Sequence, residues 1–137
     1  MSPARSRAEI IQAARAYLGT PYAHQGRTKF GLDCIGLIIR VAHDLGLSDY
    51  DESHYSRVPS GRRMQRLLSE NCEKIPIKAA TLGDLLHIAF ETQPQHVAIL
   101  TDRGMIHADS RHGVVEHRID IEWLEKVRGA YRLPGVA

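Results

Sequence analysis

A chain of 137 residues with 43% hydrophobic and 25% charged residues has the make-up of one globular domain, residues 1–137, long enough to bury about two-thirds of its unfolded surface. A net charge of +2 with no basic patch interleaved with aromatics argues against nucleic acid as a partner, and two cysteines are too few for a disulfide framework. The opening stretch MSPARSRAEIIQAARAYL has no continuous apolar run, so neither a signal peptide nor a membrane span is expected there.

In ARSRAEIIQAARAYLG, residues Ile10, Ile11, Ala14, Tyr17 and Leu18 recur at helical spacing, and Arg5, Arg7, Gln12 and Arg15 lie mostly on the other face. Gly19 ends this helix and Pro21 bars its continuation. TPYAHQGRTKFG reads as a loop closed by Gly31. CIGLIIRVAHDLG follows, apolar almost all round, as a helix buried in the core and stopped by Gly46. SDYDESHYSRVPSG is polar enough for a surface loop, and RRMQRLLSENCEKI predicts a short amphipathic helix with Met64, Leu67, Leu68 and Cys72 on one side.

From Ile75 the period changes. DLLHIAF, HVAILT, GMIHADS, GVVEHRI and VRGAYRLP read as strands, with turns expected at Gln93-Pro94, Asp102-Arg103-Gly104 and Arg111-His112-Gly113. DIEWLEK predicts one helical turn before the last strand. Helices first and strands afterwards give an α+β domain, with the buried helix packed on an antiparallel sheet of about five strands.

Cys34 stands at the first turn of the buried helix, where unpaired backbone N–H groups and the helix dipole favour a thiolate. Its alternative is an inert buried thiol, which is the reading we prefer for Cys72 on its apolar helical row. Asp33 is a natural N-cap for the same helix, and Gly36 would leave space for a substrate carbonyl beside the sulfur. Of eight histidines, His24, His43, His54, His112 and His117 fall in loops or on polar faces, and His87 reads as a sheet residue with a satisfied ring. His96 and His107 differ, because a turn at residues 102–104 would make their strands neighbours with both rings on one side. Cysteine, base and orienting ring would then form a nucleophilic triad.

GTPYAHQGRTKFGLDCIGLI, TLGDLLHI, QHVAIL and MIHADSRHGVVEHRI resemble, in order from Ala13 to Pro134, the signatures of the NlpC-type cysteine peptidases of bacterial cell walls. The resemblance implies a papain-like core and hydrolysis of peptide bonds in peptidoglycan stem peptides, with D-glutamyl–diaminopimelate linkages the expected target. It makes Cys34 the nucleophile, His96 the general base and His107 the orienting residue, and sets Tyr22 and Asp33 on the oxyanion and substrate-binding side. Cys34 and His96 would rest as a thiolate–imidazolium pair, and no metal or cofactor is implied. The family's third motif position is usually serine, whereas this chain has Ile35. DCIG together with GAYRLP is most similar to the branch encoded with phage tails, which implies tail or tail-like particle proteins as partners and delivery from the bacterial cytoplasm to the cell wall inside such a particle. Three other readings compete: a catalytically weak structural or binding component of a tail, an amidase or acyltransferase on the same fold, and a zinc hydrolase. The last lacks an HExxH string or paired-ligand spacing.

Overall fold

The computed structural model describes residues 4–52, 55, 61–90 and 93–136. Helix α1 spans Arg7–Arg15, and its start is written in the sequence: Ser6 accepts from the Glu9 backbone while the Glu9 carboxylate accepts from the Ser6 N–H, a reciprocal capping box. Ile10, Ile11 and Ala14 form its buried face. The expected loop after it holds a small antiparallel ribbon, β1 (Arg27–Thr28) with β2 (Gly31–Leu32), which leads straight into α2 (Cys34–Asp44). Helix α2 buries eight of its eleven residues, as its nearly all-apolar surface requires.

Helix α3 (Gly61–Asn71) is shorter than expected. Its continuation Glu73–Ile75 is a strand, β3, which pairs with the last strand and buries Ile75. Pro76 lacks the N–H that a helix through this stretch would need, so the chain leaves helical geometry before it. Strands β4 (Leu85–Phe90), β5 (Gln93–Thr101), β6 (Gly104–Asp109) and β7 (Gly113–His117) follow as consecutive hairpins. A single turn, α4 (Ile121–Leu124), precedes β8 (Val127–Arg132), which inserts between β4 and β3. Among the described residues the sheet is therefore antiparallel with six strands, in the order β3-β8-β4-β5-β6-β7. The turn expected at Gln93-Pro94 is displaced, because Gln93 already pairs with Phe90; residues 91–92, like His54, lie outside the described residues. The start of a strand is one of the few sheet positions that tolerate proline.

Strand alternation divides the core. Val97, Ile99, Ile106, Ala108 and Val114 face the layer of α1, α2 and α3, whereas Ala98, Met105, Leu86 and Ile88 face the side covered by Ile119 and Trp123. The start of α2 meets the sheet where it opens. The β5–β6 ladder runs only from Ile99↔Ile106 to Thr101↔Gly104, and N-terminal of Ile99 the backbone N–H of Val97 turns to the Cys34 sulfur instead.

Candidate active site

Cys34 is the first residue of α2 and is 6% exposed. Asp33 caps the helix, its Oδ1 accepting from the Gly36 N–H at 2.7 Å. The same carboxylate accepts from the Gln25 N–H at 2.8 Å and the Tyr55 hydroxyl at 2.6 Å, with Arg27 Nη1 3.4 Å away. Asp33 thus ties the loop over residues 23–27 to the nucleophile helix, and its buried oxygens are engaged within the protein. Gly36 does not leave open space for a substrate. A Cβ there would stand 2.1 Å from the Gly26 carbonyl oxygen and 2.8 Å from Arg27 Nη1, so the glycine exists for the close approach of this loop. Tyr22 bridges to Leu32 and packs half-buried against the core, which sets the TPY segment alongside the approach to α2.

His96 and His107 are both fully buried and share one side of the β5–β6 pair, their rings edge to face with centroids 4.9 Å apart. His96 Nε2 lies 2.7 Å from His107 Nδ1. The Cys34 sulfur meets the backbone N–H of Val97, the residue next to His96. His117, expected in a loop or on a polar face, closes β7 and extends this row. In the β6–β7 register it stands opposite Met105, two residues from His107, and its Nε2 is 2.8 Å from His107 Nε2. Its Nδ1 is 2.8 Å from the Arg118 carbonyl oxygen, and Trp123 lies against both His107 and His117. His87 is satisfied by Gln95 Oε1 at 2.9 Å, His43 is half-buried on the Tyr50 carbonyl, His24 meets the Tyr55 ring, and His112 is exposed beside Asp109. Among the described residues no group of three or more His, Cys, Asp or Glu side chains could hold a metal ion; the three histidine rings point their nitrogens at one another.

Electrostatics correct the expected thiolate–imidazolium pair. Burial pushes the Cys34 thiol up to about 12 and the Asp33 carboxylate pushes the same way; the N–H groups of Val97, Ile35 and Cys34 oppose them without prevailing. Burial, then His107 and His87, hold His96 well below its ordinary value. His107 is lowered to about 4 by burial and by His117, with Asp109 acting in the other direction. At neutral pH the resting pair is therefore thiol and neutral imidazole. Cys72, just past the end of α3 and packed half-buried against the core, is likewise raised to about 12, by burial alone.

The sequence model of the NlpC/P60 family matches residues 19–132. Three solved structures are similar throughout: an NlpC/P60 family protein from Bacillus cereus ATCC 10987 (TM-score 0.71, 24% identity, 96% of this chain and 41% of that one), the NlpC/p60 domain of the peptidoglycan hydrolase SagA (0.63, 25%, 93% and 98%), and the peptidoglycan hydrolase RipB from Mycobacterium tuberculosis (0.61, 20%, 93% and 64%). The chain spans about two-fifths of the Bacillus cereus protein but nearly all of the SagA domain. The matched stretch begins at the loop before Tyr22, holds Cys34 and all three members of the histidine row, and ends with β8: this chain belongs to the NlpC/P60 family.

Proposed function

We propose that the chain is a cysteine endopeptidase that hydrolyses peptide bonds in peptidoglycan stem peptides. One observation carries the reading: a cysteine at a helix start meets the sheet at the residue beside a buried histidine, whose far nitrogen is hydrogen-bonded to a second ring. With Nε2 engaged by His107, Nδ1 of His96 is the nitrogen that serves the sulfur. As Cys34 Sγ attacks the substrate carbonyl carbon, its proton passes to His96 Nδ1. The oxyanion forms against the Cys34 backbone N–H, and the Tyr22 hydroxyl is the second donor we assign. Collapse of the tetrahedral adduct breaks the C–N bond, His96 returns the proton to the departing amine, and water, deprotonated by His96, releases the thioester. A neutral resting pair suits this sequence, because proton transfer and attack then occur together and no charge has to be held in a dry site beforehand.

SagA and RipB carry the words peptidoglycan hydrolase in their descriptions, which supports the wall as substrate. D-glutamyl–diaminopimelate as the bond cleaved rests on the resemblance to the NlpC-type peptidases, and delivery by a phage tail or tail-like particle on that of GTPYAHQG, DCIGL and GAYRLP to the phage-tail branch. No helix among the described residues is long and apolar enough to cross a membrane.

The test is digestion of purified sacculi, with mass spectrometry of the released fragments. Wild-type protein should free stem-peptide fragments with a new amino terminus. Cys34→Ala should release none while melting within a few degrees of wild type. His96→Ala should lose roughly 10²–10⁴-fold and His107→Ala less, since an orienting ring does only part of the base's work. Hydrolysis surviving in Cys34→Ala would refute the mechanism. Sacculi left intact by active-site-competent wild type would favour a binding component of a tail, and cleavage between glycan and peptide would mean an amidase.

A further inference from the structure

The histidine row continues past the catalytic pair, and its end dictates which nitrogen of each ring carries a proton. A backbone carbonyl only accepts, so at 2.8 Å from the Arg118 oxygen His117 Nδ1 must carry a hydrogen. In a neutral ring the Nε2 of His117 is then an acceptor, and it meets His107 Nε2 at 2.8 Å, which must be the donor. His107 Nδ1 is left as acceptor for His96 Nε2 at 2.7 Å, which must be N–H. The lone pair of His96 then stands on Nδ1. Only one assignment of three neutral rings satisfies all three contacts, and the low proton affinities of buried His96 and His107 keep those rings neutral.

We propose that His117 is a positioning residue: through its bond to the Arg118 carbonyl it sets the tautomers of His107 and His96 so that Nδ1 of His96 is the base, and it is the solvent end of a proton relay. The proposal rests on the reading of His96 as the base of Cys34. His117 is half-buried and borders a surface groove lined by Asp102, Arg103, Gly104, Arg118 and Ile119, whereas His96 and His107 are fully buried. When the Cys34 proton reaches His96 Nδ1, the Nε2 proton of His96 can move to His107 Nδ1, and the Nε2 proton of His107 to His117 Nε2. The positive charge then rests on the one ring of the three that touches water, and the reverse shifts supply the leaving amine. The groups facing the row are His87 beside His96, Asp109 and His112 beside His107, and Asp102, Arg103 and Arg118 beside His117.

The experiment has one arm that needs no wall substrate. Side-chain ¹⁵N NMR of the wild-type protein near neutral pH should show the Nε2–H form for His96 and His107 and the Nδ1–H form for His117; a neutral His96 in the Nδ1–H form would overturn the proposal. The second arm measures Cys34 alkylation by iodoacetamide against pH in His117→Leu and His117→Gln. Leucine cannot accept from His107 and should slow alkylation about tenfold or more. Glutamine can accept through its carbonyl oxygen, so it should recover most of that loss. Wild-type alkylation rates in both variants would show His117 to be structural filling. If His117→Leu fails to fold, the wild-type tautomers and the His117→Gln alkylation rate still decide. Intact sacculi together with the expected tautomers and alkylation would sink the peptidase reading alone.

Discussion

At Cys34 two fields oppose each other. Three backbone N–H groups favour the thiolate; burial and the neighbouring carboxylate of Asp33 favour the thiol, and they prevail. The ultraviolet absorbance of a thiolate should therefore be missing at neutral pH in the wild-type protein. A step at or below neutrality that disappears in Cys34→Ala would restore the ion pair. Asp33→Asn separates the carboxylate's two roles: removing its charge should bring thiolate formation to lower pH, while weakening the cap and the Tyr55 and Gln25 bonds should cost about 1–2 kcal/mol in urea unfolding. Cys34, His96 and His107 were legible because a helix start and two strand positions across one turn follow from local pattern. The sign of the thiol's shift was not, since it depends on how much protein covers the sulfur. Nor was His117, whose place beside His107 is a consequence of register across the 110–112 turn.

Between elements, the decisive contact is the loop over residues 23–27 on the first turn of α2. Helix propensity alone says that alanine at an interior helical glycine gains up to about 1 kcal/mol. Here the added methyl would enter the Gly26 carbonyl, so loop or helix must shift. Gly36→Ala should destabilise by about 2–4 kcal/mol and lower activity, because the displaced loop adjoins Tyr22 and the Asp33 cap. A higher melting temperature would mean that the loop yields freely. The sequence pattern predicts a helix start and a glycine, but the glycine's partners, Arg27 and Gly26, are nine and ten residues away and invisible to periodicity. β3 was hidden for a similar reason: NCEKI continues a helical pattern, and only pairing with β8 makes it a strand.

Across the whole molecule, the helical layer and the sheet are joined through Asp84, fully buried at the head of β4. It meets Arg7 of α1 at 2.9 Å, Arg132 of β8 at 3.0 Å and the Thr81 N–H at 2.9 Å. Nothing in the spacing of residues 7, 84 and 132 announces the cluster; it is assembled by topology. Burial raises the Asp84 carboxyl, but Arg132, the Thr81 N–H and Arg7 outweigh it and hold it below its ordinary value. A carboxyl lowered on folding contributes stability above its unfolded value and loses it as pH falls through the folded one. The buried imidazoles act in a higher window. His107, lowered from 6.5 to about 4, favours the folded state above its unfolded value and gives up about 3 kcal/mol as pH drops through that interval, with His96 adding to the loss. Unfolding free energy in urea should therefore decline in two stages, the histidines first and Asp84 below them. Asp84→Asn should be less stable at neutral pH by about 3 kcal/mol, as expected when one partner of a buried ion pair is removed. It should keep the upper stage and lose the lower one. If its decline below the histidine window matched the wild-type protein, the acid sensitivity there would belong to other carboxylates, and the Arg7–Asp84–Arg132 cluster would be holding the two layers together by hydrogen bonds alone.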